Sequence, residues 1–297
     1  MGRAFYDQFK EARDVYHQAR QRLGFDVAAL CFEGPPEELT KTERCQPALF
    51  VTSMAALAAF RVVAPSIKPV GAAGLSLGEL TALAAAGVFS LSDGCYLVQA
   101  RAEAMAECTA QQSGSMLAII GLEKLAIDEI CRQAGVVAAN FNAADQIVLS
   151  GSVAGIEQAE GLAKAKGAKR AMKLEVAGAF HSPLMQPAAT KFGEALANIT
   201  LNKPAFPVIS NVTARPVESP EQVRELLVKQ IVSPVLWEPS MQWLIGQGVT
   251  VCVEFPPARI LTGLLRRINP AVKGIAIDRP ADFDALSSSL SSPAVSP

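Results

Sequence analysis

A serine set between glycines, Gly74-Leu75-Ser76-Leu77-Gly78, is the group in this chain with the clearest capacity for chemistry. Val70-Gly71-Ala72-Ala73 before it has the character of a buried strand, and Glu79-Leu80-Thr81-Ala82-Leu83 after it that of a helix. In a G-x-S-x-G turn between strand and helix, the glycines allow a backbone approach that a Cβ would block, and the serine is pushed to the tip. Its hydroxyl then lies at the positive end of the following helix, where an oxyanion is stabilised. A hydroxyl is a poor nucleophile until a base accepts its proton. The chain has two histidines. His17 falls in a polar N-terminal stretch and reads as a solvated surface residue. His181 stands in Ala177-Gly178-Ala179-Phe180-His181-Ser182-Pro183-Leu184-Met185, a small-residue loop between a strand and a helix, where active-site residues concentrate. It reads either as the base for Ser76 or as a loop residue capping the next helix.

The elements that must position these side chains follow from hydrophobic spacing. Residues 1–25 predict polar helix, and 46–60 an alanine-rich apolar helix ending before Pro65 and Pro69. The elbow helix closes at Gly87, and another runs over 92–107 with Asp93 near its start, a favourable charge there. From Ser115 the character changes. Strands are predicted at 116–121, 136–141, 146–150 and 170–176, the last with Met172, Leu174 and Val176 on one face. Helices are predicted at 123–134 and 155–166. That β-α-β-β-α-β order is the ferredoxin-like split motif. Helices at 183–198, 220–232, 239–246 and 258–268 then alternate with strands at 207–212, 249–255 and 272–277. The predicted fold class is α/β: a large, α/β-hydrolase-like domain whose mainly parallel sheet is covered by helices, with an inserted ferredoxin-like small domain. The expected divisions are 1–113 and 178–280 for the large domain, 114–177 for the insertion, and 281–297 as a flexible tail rich in serine.

Bulk properties narrow the function. Half of the 297 residues are hydrophobic and 19 % are charged, ample material for a core, and a net charge of −1 gives no footprint for nucleic acid. Six scattered cysteines without a C-x-x-C pair point to a reducing, cytoplasmic setting. The best apolar run, 47–60, is cut by Arg61, so no membrane association is expected. Neither a metal cluster, a dinucleotide fingerprint nor a P-loop is present, and no bound cofactor is implied.

Taken together, the motifs resemble the malonyl-CoA:acyl-carrier-protein transacylase family, which loads carrier proteins for fatty acid and polyketide synthesis. The elbow with Glu79 is similar to that family's G-[HL]-S-L-G-E, and residues 178–185 to its histidine motif. Gln46-Pro47-Ala48-Leu49, Asn140-Phe141-Asn142 and Gln230-Ile231-Val232-Ser233-Pro234-Val235-Leu236-Trp237 match in the family's order. The resemblance implies that Ser76 is acylated by malonyl-CoA, that His181 is the general base, and that the pantetheine thiol of acyl carrier protein then takes the malonyl group. It implies that the backbone carbonyl near Gln230 orients the imidazole and that the Leu77 amide is an oxyanion donor. It also assigns Arg101 to the free carboxylate of malonate, with Met105 facing the same pocket and Phe180 favouring malonyl over branched groups. Without the resemblance, Arg101 reads as a surface residue paired with an acid such as Glu103. Lys166, Lys169, Arg170, Arg266 and Arg267 suit either an acidic carrier protein or solvated element ends.

Two departures stand out. Family members open with a buried strand and a P-G-Q-G-S-Q-like loop that supplies a second oxyanion donor, and Met1-Gly2-Arg3-Ala4-Phe5-Tyr6 resembles the stretch just after that loop. The expectation is a start codon assigned too late, or else a degenerate acyltransferase acting as a binding scaffold. Either leaves two unpaired sheet edges in this chain. Glu254-Phe255-Pro256-Pro257-Ala258 replaces an E-[IV]-G-P-G-like turn, so the entry into the 258–268 helix is expected to differ. The nearest rival activity is that of an α/β-hydrolase-type esterase or thioesterase, which requires an acid between serine and histidine.

Overall fold

The structure, a computed structural model, describes residues 1–176 and 178–286. The chain begins with α1 (Arg3–Gln8) and α2 (Lys10–Leu23), passes through α3 (Val27–Glu33) and α4 (Pro36–Thr40), and enters α5 (Thr42–Val63). Gly24 ends α2 in the left-handed conformation at φ 74°, which glycine adopts without steric cost. The helix α5 is long and apolar enough to span a membrane by length and composition. More than half of that apolar stretch is buried instead inside the protein, where Ala48, Phe50, Val51, Ala55, Ala56 and Ala59 form part of the core. Its small residues allow α2 and a later helix, α7 (Leu91–Gln111), to approach closely.

The elbow leads into α6 (Leu77–Ala85), and α7 comes next. Ser90 caps α7 by accepting from the Asp93 N–H at 3.0 Å, and Asp93 supplies the acidic first turn. Beyond it are β1 (Ser115–Ile120), α8 (Lys124–Ala134), β2 (Val137–Ala143), β3 (Gln146–Gly151), α9 (Val153–Ala165) and β4 (Arg170–Lys173). These strands form one antiparallel sheet in the order β2-β3-β1-β4, with Leu117 opposite Leu149 and Ile119 opposite Ile147. One face buries those four residues under Ile127 and Ile130 of α8 and Ile156 of α9. The other carries Met116, Ala139 and Val148 and meets Leu174, Val176 and Phe180. Met172, opposite Ala118, lies on the same face as Leu174 and Val176, as predicted, but at the sheet edge it is exposed, and β4 ends at Lys173. The β2 edge is tied to the rest of the protein by Phe141 N–H to Val235 O at 2.9 Å and Val235 N–H to Ala139 O at 2.8 Å.

The remaining elements are α10 (Gln186–Ala197), α11 (Pro220–Gln230), α12 (Trp237–Gly246), β5 (Val251–Glu254), α13 (Leu261–Ile268) and β6 (Lys273–Ala276). Parallel pairing in this part is less continuous than expected. Strands β5 and β6 pair in parallel, and Ala72 makes a separate parallel bridge with Val208. No bridge joins the two pieces among the described residues. Both still pack against the same helical core through Ala72, Val251 and Val253. The start of α13 is three residues later than predicted. Glu254 accepts from the Leu261 and Thr262 N–H groups, each at 2.8 Å, so its carboxylate caps a helix beginning at Leu261. The predicted tail also starts too early: Phe283 and Leu286 are buried, and the Phe283 ring lies 5.8 Å from that of Phe5 and 6.0 Å from that of Phe9. Residues 287–297 lie outside the described residues.

Candidate active site

Ser76 precedes α6 at φ 53° and ψ −106°, a region that a residue bearing a Cβ seldom occupies. A Cβ at Gly74 would stand 2.0 Å from the Gly78 carbonyl carbon, so the sharp turn requires glycine there. The turn is braced from outside. The Ser76 N–H donates to Asn211 Oδ1 at 2.7 Å, and Asn211 Nδ2 donates to the Gly74 carbonyl at 2.8 Å. Leu77 opens α6, so its N–H has no intrahelical acceptor.

The loop carrying His181 comes from across the protein. Ser182 donates to the Ala179 carbonyl at 2.6 Å, and His181 itself takes φ 57°. Its Nδ1 lies 2.9 Å from the Gln230 carbonyl oxygen, at the end of α11. A carbonyl only accepts, so that nitrogen carries the proton, and Nε2 is the acceptor for the Ser76 hydroxyl at 2.8 Å. The two residues, 105 positions apart, meet as the dyad the sequence suggested.

Arg101 on α7 is 1 % exposed, which excludes the surface pairing with Glu103. Glu103 accepts from Gln99 instead, at 3.0 Å. The Arg101 guanidinium reaches Ser76 Oγ at 3.1 Å, Gln230 Oε1 at 3.0 Å and Gln46 Oε1 at 2.6 Å, while its Nε is buried without a partner. Among the described residues it has no carboxylate within salt-bridge distance. Met105, also buried, touches this cluster through Gln46, whose Nε2 donates to Met105 Sδ at 3.6 Å. Phe180 is half-buried and packs between the helical core and the open face of the antiparallel sheet. His17 stands far from this chemistry in an exposed contact with the Tyr6 hydroxyl at 3.2 Å.

Similarity to known proteins agrees with this geometry. The family model described as "Acyl transferase domain" matches residues 1–274. The chain is 41 % identical to the malonyl CoA-acyl carrier protein transacylase of Bacillus subtilis over 96 % of its own length and 90 % of the relative's. It is 38 % identical to the protein of that name from Escherichia coli, over 92 % and 89 %. Among solved structures, the acyl-carrier-protein-S-malonyltransferase of Bartonella henselae superposes with a TM-score of 0.93 at 38 % identity, covering 98 % of this chain and 94 % of that one. A malonyl-transacylase solved in complex with a type II PKS acyl-carrier protein gives the same TM-score at 36 % identity, over 97 % and 94 %. The chain belongs to the acyl transferase domain family.

Electrostatics in this acyl transferase domain are governed by burial. Burial pushes the His181 imidazole down to about 4, helped by the positive Arg101 and opposed by the Gln230 carbonyl, so the ring is neutral at pH 7. Burial lowers Arg101 to about 10 and leaves it charged. The Glu79 carboxyl is raised to about 7 by burial, against donors on Gln230, Asn211 and Ser210. Glu79 Oε2 accepts from Gln230 Nε2 at 2.6 Å and from the Asn211 N–H at 3.0 Å, while Gln230 Nε2 also reaches the Ser76 carbonyl at 3.0 Å. In the sequence, Glu79 and Gln46 stand out only as motif letters, and Asn211 not at all. The signal for Glu79 is a charged residue one turn into an apolar helix, which must find buried partners. For Asn211, in Ile209-Ser210-Asn211-Val212, no comparable signal exists. Among the described residues no group of His, Cys, Asp and Glu is arranged to hold a metal ion.

Proposed function

We propose that this chain transfers a malonyl group from malonyl-CoA to the pantetheine thiol of acyl carrier protein through an acyl-serine intermediate. The observation that carries this reading is a buried, charged guanidinium 3.1 Å from a serine hydroxyl, with no carboxylate partner of its own among the described residues. An unpaired buried cation is costly, and a planar carboxylate that forks onto it offsets the cost. A malonyl thioester brings a free carboxylate to that position.

In this reading Ser76 Oγ attacks the thioester carbonyl while its proton passes to His181 Nε2, and the Gln230 carbonyl stabilises the imidazolium through Nδ1–H. The Leu77 N–H receives the oxyanion, and Arg101 and Met105 hold the malonyl group with Phe180 beside it. Collapse breaks the C–S bond, and His181 returns the proton to the departing CoA sulfur. The pantetheine thiol then gives its proton to His181 and attacks the malonyl-serine, and Ser76 leaves as the neutral hydroxyl. A carbonyl in place of the triad's acid suits transfer: the acid that a hydrolase-type triad requires is not the partner of His181 Nδ1. The same reading takes the 114–177 insertion as ferredoxin-like and the surrounding domain as α/β-hydrolase-like. It treats CoA thioesters as substrates of a cofactor-independent, cytoplasmic enzyme.

The test is mass spectrometry of the protein after malonyl-CoA, then after acyl carrier protein bearing pantetheine. Expected are a malonyl adduct on Ser76, its absence in Ser76→Ala, and its passage to the carrier protein. Free malonate as the main product would replace transfer by hydrolysis, and no adduct at all would leave a binding scaffold.

A further inference from the structure

The serine and the histidine belong to distant segments, yet the groups that hold them converge on two residues outside the dyad. Asn211 grips the backbone leading into the serine with both ends of its amide, accepting from Ser76 N–H at 2.7 Å and donating to Gly74 O at 2.8 Å. Its own backbone N–H is fixed on Glu79 Oε2 at 3.0 Å. That same oxygen takes the Gln230 side chain at 2.6 Å, and the Gln230 backbone carbonyl orients His181. Arg101 on the other end of the Gln230 amide fixes which way it points, oxygen to the guanidinium and nitrogen to the carboxylate. Glu79, Asn211 and Gln230 are 1 % exposed or less, with too little access to water to replace a lost bond.

We propose that Asn211 and Glu79 are positioning residues: Asn211 clamps Ser76 in its left-handed conformation, and Glu79 locks that clamp to the Gln230 carbonyl that aims His181. The inference rests on the acyl-serine reading and deepens it. The φ of 53° at Ser76 is unfavourable for a residue with a Cβ and persists only when surrounding bonds over-determine it. Without the clamp the backbone relaxes and the hydroxyl moves off Nε2, and a misplacement of roughly 1 Å is enough to cost about 10²-fold in rate.

The test compares the full chain with Asn211→Ala, Asn211→Asp and Glu79→Gln, using the rate of Ser76 acylation by malonyl-CoA and the rate of Ser76 labelling by a fluorophosphonate. The fluorophosphonate reports an activated serine whatever acyl group it normally carries. A parent that labels but does not acylate defeats the substrate reading and leaves the positioning inference standing. For Asn211→Ala, both rates are expected to fall about 100-fold with KM for malonyl-CoA unchanged, because the residue touches no substrate. Glu79→Gln keeps an oxygen for both donors but loses the charge that strengthens the two bonds, and is expected to fall less, about 10-fold.

Asn211→Asp gives the readout that a merely structural residue would not. Its ionised carboxylate still accepts from Ser76 N–H but opposes the Gly74 carbonyl; when protonated it donates there as the amide does. The ratio of variant to parent rate is therefore expected to rise several-fold as pH falls from about 8 to about 5.5. The titratable and charged groups nearest that position are Glu79 from α6, which accepts from the Asn211 N–H, and Arg101 from α7 and His181 from its loop, which meet it through Ser76. Because Glu79 and a carboxylate at 211 titrate together, the same ratio is also taken between Glu79→Gln with and without Asn211→Asp, where the rise with falling pH is expected to persist. Asn211→Ala within threefold of the parent would overturn the proposal. So would a folded Asn211→Asp whose rate ratio is flat with pH, which also decides the matter if the alanine variant does not fold.

Discussion

The antiparallel unit of β1 to β4 is closed by Leu117, Ile119, Ile127, Ile130, Leu149 and Ile156, whereas the wall around Ser76 is made of Gln46, Glu79, Arg101, His181, Asn211 and Gln230. Both sets are buried. The first interacts through non-directional packing, in which a deleted side chain costs its buried area and the cavity that its neighbours only partly fill. The second is a chain of directional bonds in which one residue fixes the orientation of the next, so removing any member strands a buried polar group. The two regions should therefore fail differently: one by losing stability alone, the other by losing rate together with some stability.

Removing the base should have the largest effect. His181→Ala is expected to lower Ser76 acylation about 10⁴-fold, the upper range for general base catalysis, with a smaller cost of about 1–3 kcal/mol in stability from the Gln230 carbonyl it leaves unpaired. Stopped-flow or quenched mass spectrometry would measure it. A loss below about tenfold would mean that the 2.8 Å contact has no chemical role. Arg101→Ala should come next, costing about 2–5 kcal/mol of malonyl transfer and less of acetyl transfer, the shared part of the loss coming from its bonds to Ser76 Oγ and Gln230. Equal losses for the two thioesters would remove the carboxylate assignment.

On the other side of the comparison, Leu149→Ala, at a fully buried position of β3, should lower unfolding free energy by about 2–5 kcal/mol with the rate per folded molecule preserved. Denaturant titration with parallel acylation rates separates the two quantities; a fall in rate per folded molecule would join the two regions. The pH dependence sharpens the same contrast. Because the His181 pKa is held at about 4, the imidazole is the neutral base above that value, and acylation should fall only as pH drops toward it. An acid limb centred near the free histidine value would mean that the ring is more hydrated than its burial indicates. Smallest of all, Lys124→Ala, which breaks an exposed i,i+4 pair with Asp128, should leave both stability and rate unchanged.

The antiparallel unit was readable almost in full, because alternating and helical apolar spacings are local and the residues that pack lie on adjacent elements. Misreadings elsewhere have physical causes. The α13 start was set by a carboxylate seven residues upstream, and the tail was shortened by Phe283 finding Phe5 and Phe9 from the far end of the chain. The parallel sheet was expected to be more continuous because strand-like apolar runs do not state which edges they pair with. Of the site, Ser76 was legible from its glycines and His181 by scarcity of alternatives. The roles of Arg101, Met105, Phe180, Leu77 and Gln230 come from resemblance; the structure brings Arg101 to Ser76 Oγ and the Gln230 carbonyl to His181 Nδ1, and joins Met105 to Arg101 through Gln46.

What the sequence determined by itself was the kind of turn at Ser76, since only glycine fits where a Cβ would meet Gly78, and the helical and strand periods set by side-chain spacing. What the tertiary structure decided was the company that turn keeps. Arg101 became a buried cation rather than a surface one, and Asn211, Glu79 and Gln230 became a linked frame, because hydrogen-bond partners distant along the chain are chosen by how helices and loops pack. Local spacing carries no record of that choice.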